Sequence, residues 1–203
     1  MLAEDHLSSP AACGDVDILL ARPTLRTRPA PAYTVTARVL HWITAVLILL
    51  AIPLGVISAN ELGGPLQNSL YDLHRSLGAV LIPIVIARLL SRWVHPTVPL
   101  PNDIQGLQRQ AAHVTHWALY ALLIVQPLVG WMATSAYPAP IRVFGWFELP
   151  PIWFENRALS EQLFSIHRLI GIAMACLVTA HVGAALFHHF VRKDRVLMRI
   201  ITG

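Results

Sequence analysis

The sequence predicts an all-α protein, a bundle of four transmembrane helices in antiparallel up-down hairpins with both termini in the cytoplasm. Three observations predict it. Of 203 residues, 55% are apolar and only 13% charged, about half the charge of an ordinary soluble domain; in water such a chain would expose large apolar patches. The apolar residues gather into four runs, each longer than the roughly 20 residues that cross a hydrocarbon core. The basic residues are unevenly placed: of fifteen Lys and Arg, only Arg75, Arg142, Arg157 and Arg168 fall opposite the termini. That asymmetry puts both termini inside. The net charge of +4 reads as membrane orientation rather than a nucleic-acid surface, because the basic residues flank apolar runs.

Residues 1–32 hold Pro10, Pro23, Pro29 and Pro31 without a sustained apolar period. They read as a flexible cytoplasmic extension, with at most a helical turn around Asp15–Leu20, and lack the short apolar stretch of a secretory signal. Residues 33–203 form the membrane domain. Its helices are expected over about 36–58, 70–93, 107–135 and 160–191, because backbone groups in lipid must be satisfied internally. Pro53, Pro83 and Pro127 lie inside these runs and are expected to kink rather than break them. The 134–159 connection, with Tyr137, Trp146 and Trp153, suits the outer interface. Cys13 in the tail and Cys176 in an apolar run are too differently placed to pair, and Cys176 reads as a small buried filler.

The chain repeats itself. His41-Trp42 precedes Pro53-Leu54-Gly55 in the first run, and His116-Trp117 precedes Pro127-Leu128-Val129-Gly130 in the third. The second reads Leu73-His74-Arg75-Ser76-Leu77-Gly78, the fourth Ile166-His167-Arg168-Leu169-Ile170-Gly171. Two similar helical hairpins account for both correspondences.

Ten histidines are many for so apolar a chain. Ionisable side chains in a membrane are costly and face the bundle interior, and neutral imidazole ligates haem iron. His167 and His181 are fourteen residues apart, about 1,400° of rotation, which puts both on one helix face about 21 Å apart. That spacing suits two stacked haems, although one amphipathic stripe gives the same phase. Depth pairs His74 with His167 near the outer face and His41 with His181 in the inner half. A small residue follows each by four positions (Ala45, Gly78, Gly171, Ala185), room for a flat macrocycle or equally for close helix packing.

His113 and His116 stand outside this ligand set. By the repeat His116 matches His41 and could claim His181 instead; the two could also line a quinone pocket or anchor haem propionates. His188 and His189 read as interfacial and solvated. Arg75 and Arg168 directly follow the outer pair, where they would either bind haem propionates through a forked geometry or anchor the interface. Arg88 and Arg92 mark the inner boundary. No Cys-x-x-Cys-His motif is present, so covalent haem is not expected.

Together with Arg38-Val39-Leu40-His41-Trp42, Ala111-Ala112-His113-Val114-Thr115-His116 and Ala180-His181-Val182-Gly183-Ala184-Ala185, these motifs resemble the bacterial cytochrome b(561) family, relatives of the membrane b subunit of nickel–iron hydrogenases. The resemblance covers roughly residues 33–203; the long N-terminal extension departs from it. It implies two non-covalent haems b exchanging electrons with ubiquinone in the bacterial inner membrane. It carries the ligands onto His41, His74, His167 and His181. Some members look like superoxide oxidases, and outer Arg75 and Arg168 could favour that anion, although Glu148, Glu155 and Glu161 share the surface.

The leading expectation is therefore a diheme electron carrier between a donor and the ubiquinone pool. Narrower versions are a superoxide:ubiquinone oxidoreductase and the membrane anchor of a larger dehydrogenase or hydrogenase. A non-redox transporter with a histidine path is the remaining alternative; little intramembrane carboxylate is present to share in its relay.

Overall fold

The computed structural model describes residues 32–60, 63–95 and 106–203. The expected extension, its helical turn and Cys13 lie outside the described residues. Four long helices run up and down: α1 (Val35–Ala59), α2 (Gly64–Val94), α3 (Leu107–Ala136) and α4 (Arg157–Phe190). All four are long and apolar enough to cross a membrane. About half of their large apolar side chains, Leu49, Ile86, Val114 and Leu169 among them, are exposed. Lipid is the solvent that accepts such a surface.

Local chemistry sets the ends. Thr34 Oγ1 accepts the Ala37 N–H at 3.2 Å and starts α1. Asn156 Oδ1 accepts the Leu159 N–H at 3.0 Å and starts α4, each capping an otherwise orphan donor. Helix α2 begins earlier than expected, at Gly64, because Pro65 sits in its first turn, where a missing N–H costs nothing. Helix α4 likewise begins at Arg157 rather than near Ser160. Pro53, Pro83 and Pro127 all lie inside continuous helices.

Helix α1 packs along α2, α3 along α4, and α2 along α3. The buried centre is formed by Ile48, Leu81, Val85, Leu123 and Met174. Each helix supplies one residue seven positions from a histidine: Ile48 follows His41, Leu81 follows His74, Leu123 follows His116, and Met174 lies midway between His167 and His181. Seven residues nearly restore the same helix face, so the histidines and this apolar layer share one inward stripe.

Two elements went unforeseen. A hairpin of β1 (Ile141–Val143) and β2 (Phe147–Leu149) occupies the α3–α4 connection, turning through Phe144 and Gly145 at φ 49° and 77°. Fully buried Ser76 of α2 ties it down: Oγ lies 3.0 Å from the Arg142 carbonyl and accepts the Phe144 N–H at 2.9 Å. At the opposite end, the short helix α5 (Val196–Ile201) folds back on α1. Trp42 Nε1 donates to the Ile200 carbonyl at 3.1 Å, and Arg38 donates to that of Ile201 at 3.3 Å. The β1–β2 hairpin marks one end of the bundle, the hairpin end, and α5 marks the other, the terminal end.

The reversal into α5 corrects one expectation. His188 is not a solvated interfacial residue: its side chain is 17% exposed and bonds Asp194 through Nδ1. Lys193, at φ 55°, turns the chain so that the Asp194 N–H reaches the His188 carbonyl at 3.1 Å, a helix-ending pattern. Cys176 is also corrected. It is exposed on the bundle's outer face rather than buried, since its place on α4 points it away from the inward stripe.

Two predictions follow from these ties. Ser76→Ala leaves the part-buried Phe144 N–H without its acceptor and should cost about 0.5–1.5 kcal/mol, read as a lower melting temperature and faster proteolysis within 141–149. For Asp194, burial acts to raise the carboxyl pKa, but hydrogen bonds from His188 and the Val196 N–H, with the charges of His188 and Arg192, outweigh it and hold the value below normal. A depressed carboxyl stabilises the fold above its unfolded pKa of about 4 and loses that contribution as pH falls through the folded value. Asp194→Asn should therefore lower the melting temperature at pH 7, and the gap from the parent protein should close on acidification; a gap independent of pH would refute this.

Candidate haem sites

At the hairpin end α2 brings His74 to face His167 of α4, with ring centroids 6.0 Å apart and planes at 89°. Each ring is held from behind by the neighbouring helix of its own hairpin. His74 Nδ1 donates to the Ala51 carbonyl of α1 at 2.9 Å, and His167 Nδ1 donates to the Gln126 carbonyl of α3 at 3.1 Å. A carbonyl can only accept, so the proton sits on Nδ1 in both rings. Nε2 keeps its lone pair for a metal, the usual arrangement behind a ligating imidazole.

Room for these rings comes from glycine. A Cβ added at Gly55 would lie 2.8 Å from His74 Cε1, and one at Gly130 would lie 2.9 Å from His167 Cε1. The two arrangements repeat in detail. Ala51 and Gly55 stand ten and fourteen residues after His41, and Gln126 and Gly130 stand ten and fourteen after His116. The sequence motifs ending in Gly55 and Gly130 signalled the repeat; their role in admitting the rings was not legible from them.

The terminal end is a cluster of three. His181 of α4 lies between His41 of α1, at 6.4 Å between centroids, and His116 of α3, at 5.3 Å. Arg88 is more than a boundary residue: it donates to His41 Nδ1 at 2.8 Å and to the Tyr120 hydroxyl at 3.3 Å. Arg92 lies over the rings of Trp117 and Tyr120. His113 is exposed.

The arginines after His74 and His167 diverge. Arg75, 21% exposed, lies 3.5 Å from Asp72 and over the Tyr71 ring. Arg168 is exposed and is not gathered with it.

The family model of prokaryotic cytochrome b561 matches residues 32–203. The chain belongs to that family. It is 30% identical over 178 residues to cytochrome b561 homolog 2 of Escherichia coli, covering 86% of this chain and 94% of that one. It is similar to cytochrome b561 homolog 1 of the same organism, at 30% identity over 80% of this chain and 92% of the relative. A protein of Yersinia pestis named probable superoxide oxidase CybB is 28% identical over 80% of this chain and 91% of its own length. This is a multi-pass membrane protein of a family that binds b-type haem.

The histidine pair at the hairpin end fits that group. An imidazole nitrogen about 2 Å from a metal puts its ring centroid about 3 Å away, so two rings on opposite sides of one iron stand about 6 Å apart. His74 and His167 match that separation, as do His41 and His181, whereas His116 and His181 are closer. The donor chemistry differs between the ends. Nε2 is free to ligate in His74 and His167, while the Arg88 N–H on His41 Nδ1 puts that ring's proton on Nε2. Ligation through His41 Nε2 therefore requires Arg88 to release Nδ1.

Gly55→Ala or Gly130→Ala would push a Cβ into the imidazole and break its Nδ1–H···O bond, worth about 1–3 kcal/mol when left unmade. Haem bound per chain should fall in each variant while helix content by circular dichroism stays. Unchanged haem content in both would show that the rings do not need this seat.

Proposed function

We propose that this protein is a diheme cytochrome b that passes electrons between a donor and the ubiquinone pool. In this reading His74 and His167 hold one haem b, His41 and His181 hold the other, and both termini face the cytoplasm across the bacterial inner membrane. The observation that carries it is the facing pair of His74 and His167, each with its proton committed to a helix carbonyl. Bound haem iron supplies one-electron chemistry. The chain's part is to seat, orient and insulate.

Insulation comes from Ile48, Leu81, Leu123 and Met174, which fill the bundle between the two histidine levels and exclude water from the path. His167 and His181 stand about 21 Å apart along α4, and the edges of groups held there would be closer. Arg75 beside His74 and Arg88 beside His41 place one cation near each level, suited to haem propionates.

Superoxide oxidation is the narrower reading, with ubiquinone as electron acceptor. The name of the Yersinia pestis relative and the cation Arg75 next to His74 at the hairpin end support it. Asp72 and the Arg142–Glu148 ion pair, at 2.8 Å, leave no strongly basic funnel there. Superoxide reducing the haems rapidly, with ubiquinol formed in proportion, would favour it over a passive carrier.

A reduced-minus-oxidised spectrum with a pyridine haemochrome assay on purified protein tests the proposal. Two low-spin, non-covalent haems b per chain are expected. His74→Ala and His167→Ala should each leave one, His41→Ala and His181→Ala should each leave the other, and His116→Ala should keep both. No haem, in protein made with ample haem supply, would overturn the proposal, and loss of a haem on His116→Ala would reassign the inner ligands.

A further inference from the structure

The two hairpins repeat closely around the outer histidines, with one difference at the residue whose carbonyl holds the ring. In the first hairpin it is Ala51; in the second it is Gln126. Gln126 is 9% exposed, and its contact with His167 runs in both directions. The His167 Nδ1–H donates to the Gln126 backbone carbonyl at 3.1 Å, and the Gln126 side-chain Nε2 donates to the His167 backbone carbonyl at 2.9 Å. Glycine makes room on both sides. A Cβ at Gly130 would meet the His167 ring at 2.9 Å, and one at Gly171 would meet Gln126 Nε2 at 3.0 Å.

The amide is poorly paid for otherwise. Its Oε1 is buried and has no hydrogen-bond partner among the described residues, a cost that a leucine in the same place would avoid. Among the described residues, the bond to His167 is the contact that explains a glutamine at this point of an apolar helix.

We propose that Gln126 is a positioning residue for His167, locking ring and backbone together so that the second hairpin holds its outer histidine more rigidly than the first holds His74. This rests on the haem reading above. Clamping at both ends keeps the Nδ1–H···O bond aligned, and a well-aligned bond there makes Nε2 a more basic ligand. A more basic ligand favours the oxidised metal, so Gln126 lowers the reduction potential of the outer haem and fixes the angle of its axial rings.

Potentiometric titration and low-temperature EPR of the purified, haem-loaded protein test this. EPR is apt because the low-spin signal of a bis-imidazole iron depends on the angle between the ring planes, 89° for His74 and His167. In Gln126→Leu, one haem's midpoint should shift upward and its EPR signal should move or broaden, with the other haem unchanged. Gly171→Ala, which crowds the amide without removing it, should shift the same haem in the same direction by less, and it decides the matter if Gln126→Leu cannot be purified. Asp194→Asn, beyond α4 at the opposite end of the bundle, should lower the melting temperature without moving the signal of the haem at His167. The proposal is overturned if the available variants of the pair keep the parent potentials and EPR, or if both haems shift equally. A parent protein without haem overturns the haem reading and this inference with it.

Discussion

The structure depends on how an imidazole can be held in lipid. A histidine in the bilayer needs a partner for its N–H, and the surrounding helices have already spent nearly all their backbone groups on themselves. What remains is the second lone pair of a helix carbonyl. Ala51 and Gln126 offer it across their own hairpins, at 2.9 and 3.1 Å. The ring can approach only where the next turn carries no Cβ, hence Gly55 and Gly130. One hydrogen bond thus fixes a tautomer, a ring orientation, a glycine and the closeness of each helix pair. Helices packed less tightly would lose the bond, and a ring without it would be free to turn its lone pair away from its partner.

The terminal end is built on the opposite polarity. His41 Nδ1 accepts from a guanidinium rather than donating to a carbonyl, and Tyr120, Trp117 and Arg92 surround that contact. Cations are tolerated there because long side chains near helix ends reach the interface. The α5 segment adds to the same end through Trp42 and Arg38, the residues flanking His41 by one and three positions. Between the two ends the layer of Ile48, Leu81, Leu123 and Met174 has no polar atom to offer. The bundle therefore holds two histidine levels of different electrostatic character, separated by apolar packing.

Much of this was legible in the sequence because the bilayer leaves few choices. Run length gave four crossing helices, and helical phase with depth brought His74 to His167 and His181 to His41. The repeat was readable because both hairpins keep the same offsets from His41 and His116. Other features were not. The β1–β2 hairpin rests on Ser76 bonding the backbone of residues 142 and 144, a contact between segments far apart in sequence. His188 looked solvated because its partner, Asp194, meets it only through the turn at Lys193. Arg88 read as a boundary marker since arginine at a helix end usually is one, and only the packing of α1 on α2 brings it to His41. Cys176 was misplaced by its apolar surroundings, although nine residues from His167, about 900° of rotation, put it on the face opposite the histidine stripe.

The repeat also explains where the two halves are free to differ. Offsets of seven, ten and fourteen residues from His41 and His116 are tied to packing: the apolar layer, the carbonyl and the glycine. The backbone carbonyl is independent of side-chain identity, so the position ten residues on can change its side chain without losing the histidine's acceptor. Ala51 and Gln126 are that change. A buried amide beside a ring-bearing carbonyl alters the rigidity of the histidine while leaving the fold's requirement untouched. A duplicated bundle can therefore make its halves chemically unequal first at the residues where only the backbone is constrained.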